Sequence, residues 1–191
     1  MPDVSMRMLP AVFKLKPEQI TIHQARAGGG FGRRLMNDYM MEAVQISKQA
    51  GVPVKLVWTR EDDIQHDFYR PGGFHAFKGA VDQNGKLVAF ADHFITFSSD
   101  GERPVSSAEI SPEEFPALLV PNVKLTQTFL PWKIPTGPWR APRSNSVAFA
   151  VQSFLHELSV AAGKDHLEFM LELMGEPRHL PPANEFALNT G

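Results

Sequence analysis

A run of glycines followed by two arginines is the first feature of the sequence that could do chemistry. Residues 27–34 read Ala-Gly-Gly-Gly-Phe-Gly-Arg-Arg, and successive glycines leave the backbone free to take positive φ and to approach a ligand closely. Such a turn presents unpaired N–H groups that suit an anionic oxygen, and Arg33 and Arg34 add fork-shaped donors for phosphate or carboxylate. The glycine spacing matches neither the dinucleotide fingerprint nor the P-loop. Two interpretations stay open: an anion site, or a tight turn with a solvated arginine pair.

A second segment, residues 130–143, combines stiffness with aromatic and cationic side chains. It reads Leu-Pro-Trp-Lys-Ile-Pro-Thr-Gly-Pro-Trp-Arg-Ala-Pro-Arg, and because proline fixes φ, the chain can hold Trp139 beside Arg140 at low entropic cost. A rigid arginine next to an indole suits a flat, polar or anionic ligand. The segment also leads into a helix N-terminus near Ser144, which favours anions. The alternative is a loop that packs on its own domain, with Arg140 in a structural ion pair.

Composition excludes several classes of function. The chain has 191 residues, with 19 Lys and Arg against 21 Asp and Glu, so it lacks the surplus positive charge of a nucleic-acid binder. It has no cysteine, which excludes disulfides, thiolate nucleophiles, Cys-ligated zinc and iron–sulfur clusters within the chain. The sequence contains no run of 18 apolar residues, so it predicts no membrane span.

No catalytic residue or metal ligand can be assigned from these residues. None of the seven histidines belongs to an H-E-x-x-H motif, and no serine lies in a G-x-S-x-G elbow. His66 stands among Asp62, Asp63 and Asp67 and could join them in holding a metal, but an acidic, solvated turn is the simpler interpretation.

The periodicity predicts the elements that must position the two segments. Residues 1–17 form a leading segment with an apolar patch. Residues 18–27 alternate as a half-buried strand and residues 54–58 form a short apolar strand, on either side of a helix from Asn37 or Asp38 to Ala50; together they are a strand–turn–helix–strand unit. Further along, the pattern predicts a hairpin of residues 74–81 and 87–97 around Asn84-Gly85, a strand over 123–130, a helix from Ser144 to about Ala162, and a last helix capped by Asp165.

These elements predict an α+β fold, with mixed sheets, helices packed on them and two lobes. We expect a first lobe at residues 1–98 that carries the glycine motif, and a polar connecting segment at 99–121. A second lobe at 122–175 then carries the loop and the later helices, and a loosely attached tail follows at 176–191.

The two segments, in this order and separation, resemble one protein family. Residues 28–34, Asp38-Tyr39, residues 45–63 and residues 66–71 look like the large molybdopterin-binding subunit of the xanthine dehydrogenase/aldehyde oxidase superfamily, and within it the isoquinoline 1-oxidoreductase β-subunit group. The second half agrees, through Thr136-Gly-Pro-Trp-Arg-Ala-Pro142 and residues 149–169. The resemblance covers roughly residues 18–175.

The resemblance implies a molybdenum pyranopterin-dithiolene cofactor, in its molybdopterin cytosine dinucleotide form, bound in the full-length subunit. Such enzymes hydroxylate an N-heterocycle or aldehyde carbon with water oxygen, and their electrons leave through a separate iron–sulfur subunit or domain. The family's glycine turn lies against the molybdenum centre, and its second motif lies near the substrate pocket. The resemblance therefore gives a substrate-pocket role to Trp139 and Arg140, and a cofactor role to Gly28, Gly29, Gly30, Phe31, Gly32 and Arg33.

Departures from the family pattern shape the expectation for this chain. The family's general base is a glutamate in a Gly-x-Gly-Glu context, which these 191 residues do not contain. We therefore expect an internal piece of a longer subunit, inactive and without bound cofactor by itself, whose partners are the rest of that subunit and the iron–sulfur subunit. Purine-oxidising members carry a glutamate just after the glycine motif, where this chain has Arg33, Arg34 and Leu35, so a purine substrate is not expected. Arg143 stands where a small residue is usual. The location is open between bacterial cytoplasm and periplasm.

Two other functions stay as alternatives. One is a stand-alone anion- or nucleotide-binding module that uses residues 28–34. The other is a non-catalytic interaction domain whose contact surface is the loop around Trp139.

Overall fold

A computed structural model describes residues 2–175. In chain order its helices and strands are α1 (Pro2–Phe13), α2 (Asp38–Ala50), α3 (Arg60–His66), β1 (Phe74–Val81), β2 (Leu87–Ser98), β3 (Asn122–Pro131), α4 (Ser144–Ala161) and α5 (His166–Met174). Short 3₁₀ turns lie at Pro17–Gln19, Arg33–Leu35 and Ala117–Leu119. The predicted α+β class is confirmed.

The three strands form one mixed sheet in the order β1-β2-β3. β1 and β2 are an antiparallel hairpin closed at Asp82, whose carboxylate accepts the N–H groups of Asn84 and Lys86 at 2.9 Å each, with Gly85 at φ 73°. β2 and β3 run parallel, since each contact joins residues 34 positions apart, as in Asn122 to Val88. The connection between them is therefore the long excursion expected of a parallel pair.

The chain divides into two compact units that interleave along the sequence. The first unit contains the described residues up to Phe74, together with Ile95–Glu109 and Thr128–Ala148. The second contains His75–Phe94, Ile110–Gln127 and the described residues from Phe149 onward. The predicted division at residues 99–121 stays a prediction about domain boundaries.

An aromatic cluster forms the core of the second unit. Phe77 of β1 stacks on Phe154 of α4 with ring centroids 4.9 Å apart, and Phe90 of β2 contacts both rings. Gly79 leaves room for this packing, because a Cβ there would stand 2.9 Å from the side chain of Leu158. Helix α4 is thus packed on the sheet, as the apolar face of its sequence predicts.

The predicted hairpin, the helices α2, α4 and α5 and the strand β3 are confirmed within one or two residues. Their ends carry local signals: Gly51 closes α2 with φ 71°, and Asp165 accepts two backbone N–H groups at the start of α5.

Two local predictions were wrong. Residues 18–27 and 54–58 are not strands, because no strand among residues 2–175 pairs with them. The apolar side chains of the second segment are not all buried, since Val57 is 72% exposed. The leading segment is helix α1, although it contains Pro10; the burial of Leu9 and Phe13 indicates that tertiary packing outweighs the helix-breaking tendency of the proline.

The predicted tail at 176–191 lies outside the described residues. Within residues 2–175, no helix has the length and apolar character that crossing a membrane requires.

Candidate functional site

The glycine turn, residues 28–34, is an exposed loop without regular structure ahead of a short 3₁₀ turn. Within residues 2–175, the N–H groups of Gly28, Gly29 and Gly30 donate to no backbone carbonyl. A Cβ on Gly29 would stand 2.8 Å from the ring of Phe31, and one on Gly30 would stand 3.0 Å from Cβ of Arg34. The turn therefore presents three backbone donors that no described backbone carbonyl accepts, with the ring of Phe31 against Gly29 and the side chain of Arg34 against Gly30.

The glycine turn contacts the Pro-Trp loop, residues 130–143, directly. Gly32 has φ 90°, and a Cβ on it would stand 2.8 Å from the main chain of Pro138 and of Trp139. From the other side, the backbone N–H of Arg140 donates to the carbonyl oxygen of Phe31 at 2.5 Å. The two segments, separated by a hundred residues in sequence, thus form one structure within the first unit.

The contact is made with strained backbone. Phe31, Arg140 and Ala141 all have positive φ, at 49°, 23° and 51°, a region that costs residues with a side chain about 1–3 kcal/mol each. Strain of this kind persists only where surrounding contacts hold it in place.

A third segment, Phe68–Arg70, supplies those contacts. Tyr69 pairs with the loop through its N–H to the carbonyl of Pro135 at 3.0 Å, and its own carbonyl accepts the N–H of Gly137 at 3.1 Å. Gly137 is needed there, since a Cβ would stand 2.8 Å from Cβ of Phe68. The guanidinium of Arg70 donates to the loop's carbonyl oxygens, those of Trp139, Arg140, Ala141 and Pro142.

The two arginines of the glycine turn have different environments. Arg33 donates to both carboxylate oxygens of Asp38 at 2.8 Å, its Nε lies 2.6 Å from Asp67, and its guanidinium lies over the ring of Phe68. Arg34 is exposed and, among residues 2–175, makes no ion pair. Its guanidinium lies 5.4 Å from the ring centre of Tyr39. Arg33 therefore anchors the glycine turn to Asp38 and Asp67, whereas the guanidinium of Arg34 remains exposed.

The ion pair shifts both titrations in the expected directions. The hydrogen bonds to Asp38 raise the pKa of Arg33, against the opposing effect of burial. Burial raises the pKa of Asp38, but the hydrogen bonds and charge of Arg33 and nearby backbone N–H groups outweigh it, so that this pKa lies below its usual value.

A cavity of about 1020 Å³ opens beside the turn, within the first unit. Its walls come from the glycine turn, helix α2, the extended segment at 56–60 and Trp139. The wall at Trp58 is held by its indole N–H, which donates to Glu42 of α2 at 2.9 Å. Phe31 and Trp139 are 66% and 60% exposed, so two aromatic rings of the first unit remain available to a ligand.

The residues predicted for the site have different positions in the structure. Gly29, Gly30, Phe31, Arg33 and Trp139 line the cavity. Gly28 lies outside the lining, and Gly32 and Arg140 act through the main-chain contact between turn and loop.

Sequence reasoning missed Asp38, Asp67 and Arg70 as parts of the site. Asp38 was read as a helix-start residue and Asp67 as part of an acidic turn. Arg70 had one signal, its position before Pro71 in the segment that carries the resemblance.

Comparisons with known proteins give matches over most of the chain. A family model described as molybdopterin cofactor-binding domain matches residues 1–173. The membrane-bound aldehyde dehydrogenase (pyrroloquinoline-quinone) of Gluconacetobacter polyoxogenes is 29% identical over 191 residues, covering 87% of this chain and 24% of that protein. The isoquinoline 1-oxidoreductase subunit beta of Brevundimonas diminuta is 29% identical over 98 residues, covering 51% of this chain and 12% of that protein.

A solved structure shares the fold. The aldehyde oxidoreductase from Desulfovibrio gigas superposes with a TM-score of 0.69 at 18% identity, over 87% of this chain and 19% of that one. The chain thus spans about a quarter or less of the length of the relatives it matches.

Proposed function

Because the chain belongs to the molybdopterin cofactor-binding domain family, we propose that its glycine turn and Pro-Trp loop form one wall of a molybdenum pyranopterin site in a molybdenum hydroxylase. The predicted family and fold are confirmed by the match over residues 1–173 and by the shared fold. Beyond the family and the fold, we propose the roles of individual residues, the reaction and the partners.

One observation carries the proposal: the two segments that bear the family motif are joined by the 2.5 Å hydrogen bond from Arg140 N–H to Phe31 O. This bond lies in the same unit as the cavity of about 1020 Å³, which Phe31 and Trp139 line. A loop that merely packed on its own domain would have no reason to hold two residues, Arg140 and Ala141, at positive φ opposite a third, Phe31, in the glycine turn.

The residues present fit such a cofactor. The N–H groups of Gly28, Gly29 and Gly30 are donors without a backbone acceptor among the described residues, as the polar and anionic atoms of a pyranopterin dinucleotide require. A side chain on Gly29 would collide with the ring of Phe31, and one on Gly30 would crowd the side chain of Arg34, so the present arrangement of the turn requires glycine at both positions. The cavity is also of the size that holds small-molecule cofactors.

The residues divide the work of binding. We assign the donor strip to Gly28, Gly29 and Gly30, and an aromatic contact to Phe31. Arg33 is assigned to holding the turn against Asp38 and Asp67, so its contribution to cofactor binding is indirect. We assign Trp139 to the substrate side of the pocket, where its exposed indole suits a flat ring.

The bound molybdenum would supply the two-electron oxidation that this chain's side chains cannot perform. We propose that the substrate is an N-heterocycle or an aldehyde, that water provides the oxygen, and that the cofactor has the cytosine dinucleotide form. The electrons would leave through an iron–sulfur subunit or domain outside these 191 residues, which contain no cysteine to hold a cluster. The general base would come from a Gly-x-Gly-Glu segment elsewhere in the subunit.

Molybdenum retention tests the proposal. In the full subunit, produced in a host that makes the cofactor, Gly30→Asp places a carboxylate in the donor strip and should repel the anionic cofactor. We expect bound molybdenum, measured by inductively coupled plasma mass spectrometry, to fall at least about tenfold, which corresponds to about 1.4 kcal/mol of binding.

The matched control is Gly72→Asp. Gly72 is exposed, and a Cβ there meets nothing within 4 Å, so the same charge is added in the same unit outside the site. Equal molybdenum content in Gly30→Asp, Gly72→Asp and the unmodified protein would contradict the proposal.

The chain by itself is proposed to be catalytically inactive. Assays of the purified 191-residue chain with an N-heterocycle and with an aldehyde, using an artificial electron acceptor, should show no turnover above buffer. Turnover that depends on Trp139 in this short chain would refute the assignment of the base to another segment.

A further inference from the structure

Arg70 contacts the Pro-Trp loop more extensively than any motif residue does. Its NH1 donates to the carbonyl oxygen of Pro142 at 2.8 Å and, more weakly, to that of Ala141 at 3.5 Å. Its NH2 donates to the carbonyl oxygen of Arg140 at 2.9 Å and to that of Trp139. One guanidinium thus gathers the carbonyls of four successive residues.

The same guanidinium also lies against the indole that lines the cavity. The central carbon of Arg70 is 5.4 Å from the centre of the Trp139 ring, within the range of a cation–π contact. Arg70 is half-buried, and among residues 2–175 it has no carboxylate partner. Its positive charge therefore interacts with the carbonyl oxygens and the indole of the loop.

The gathered residues include the strained ones. Arg140 and Ala141 have positive φ, and in that conformation successive carbonyls can converge on a single donor group. Without such a donor, about 1–3 kcal/mol of strain per residue favours relaxation of the loop. Relaxation at Arg140 would also move the N–H that donates to Phe31.

The geometry requires a fork of donors. A guanidinium presents five N–H groups in a fixed plane, whereas an ammonium is a single compact point. A lysine at this position could satisfy one or two of the four carbonyls but could not hold them in their present spacing.

We propose that Arg70 is a positioning residue that sets the conformation of the Pro-Trp loop, and through it the placement of Trp139 and Phe31 in the cofactor site. Its action on the loop is independent of cofactor, and its importance for the cofactor rests on the function proposed above. Its role differs from that of Arg33, which anchors the glycine turn through carboxylates.

Fluorine NMR of the chain labelled with 5-fluorotryptophan tests this role without any cofactor. The chain has three tryptophans, and Trp139→Phe identifies the resonance of Trp139. In Arg70→Lys, which keeps the charge and loses the fork, we expect the Trp139 resonance to shift or broaden. The resonances of Trp58 and Trp132 should stay in place, because neither indole contacts Arg70. Trp132, at the start of the loop, is held by the ring of Phe97 and by its backbone N–H to the carbonyl of Ser98.

Two further variants sharpen the result. Arg7→Lys is the matched control, because Arg7 is exposed on α1 and should leave all three resonances unchanged. In Arg70→Ala, added methylguanidinium should restore the Trp139 resonance, whereas methylammonium should not, since only the former carries the planar fork.

Two outcomes overturn the role of Arg70 in the loop. An unchanged Trp139 resonance in both Arg70 variants would mean that the loop holds its own conformation. A uniform change of all three resonances in Arg70→Lys would mean that Arg70 supports the whole unit instead of the loop.

The link to the cofactor is read separately, as the molybdenum content of the full subunit. A shifted Trp139 resonance with a large loss of molybdenum in Arg70→Lys supports the proposal. A shifted resonance with unchanged molybdenum overturns its second half. Absence of molybdenum from the unmodified subunit contradicts the proposed function and leaves the NMR result standing.

Discussion

The contact between the glycine turn and the Pro-Trp loop predicts a large and specific cost for one added methyl group. Gly32 has φ 90°, and a Cβ there would stand 2.8 Å from main-chain carbonyl atoms of Pro138 and from Cα of Trp139. A backbone neighbour cannot rotate away as a side chain can. Gly32→Ala should therefore force the two segments apart or strain both.

The cost has two parts that can be separated. Left-handed backbone costs a residue with a side chain about 1–2 kcal/mol. Overpacking of one methyl group against fixed neighbours costs about 1–3 kcal/mol. Gly32→Ala should thus lower the free energy of unfolding by about 2–5 kcal/mol, which is a large fraction of the 5–15 kcal/mol typical of a domain.

Two other glycines provide matched controls. Gly51 has φ 71° at the end of α2, with nothing within 4 Å of a Cβ, so Gly51→Ala should show the conformational cost alone, about 1–2 kcal/mol. Gly28 lies in the same turn as Gly32, but its Cβ position is open and its φ is not in the left-handed range. Gly28→Ala should change stability by about 0.5 kcal/mol or less.

Urea denaturation measures the effect, followed both by circular dichroism and by tryptophan fluorescence. The expected order of destabilisation is Gly32→Ala, then Gly51→Ala, then Gly28→Ala. Equal costs for Gly32→Ala and Gly51→Ala would refute the reasoning, because the contact with the loop would then contribute nothing.

Three further predictions concern charged groups. The pKa of Asp38 is lowered in the folded state, so its pair with Arg33 stabilises the fold fully at pH values above 3.8, the usual pKa of the carboxyl. This stabilisation is lost as the pH falls through the lowered pKa. When the free energy of unfolding is measured against pH, Asp38→Asn should lack that loss. Arg33→Lys breaks the bidentate pair with Asp38 and should lower the free energy of unfolding by about 1 kcal/mol at this partly exposed position. Arg34→Lys should change it very little. Similar melting temperatures for the two variants would contradict the distinction between the two arginines. Asp165→Ala removes a cap that accepts two N–H groups of α5 and should cost about 1 kcal/mol in urea denaturation, and a neutral result would show that α5 is held by packing alone.

The elements predicted correctly from sequence are those whose ends are encoded locally. The stop at Gly51 needs a positive φ that glycine supplies cheaply, and the start of α5 needs the side-chain acceptor of Asp165. The hairpin at Asn84-Gly85 belongs to the same class. Such signals act over a few residues and can be read without knowledge of the rest of the chain.

The failed predictions concern elements that depend on distant partners. A strand exists only when another strand satisfies its backbone groups, and residues 54–58 have the apolar character of a short strand but no such partner among the described residues. Helix α1, for which the sequence pattern made no prediction, also depends on tertiary contacts, since the burial of Leu9 and Phe13 sustains a helix that contains Pro10.

The sequence by itself determined that two chemically suggestive segments exist, and their order and residue types identified the family. Glycine, proline and arginine have backbone and hydrogen-bonding properties that hold in any context. Only the tertiary structure decided that the segments meet, that Arg33 is held by Asp38 and Asp67, and that Arg70 gathers the loop's carbonyls. The physical reason is that a charge or a carbonyl has no fixed partner along the chain, and the fold alone brings its partner within hydrogen-bonding distance.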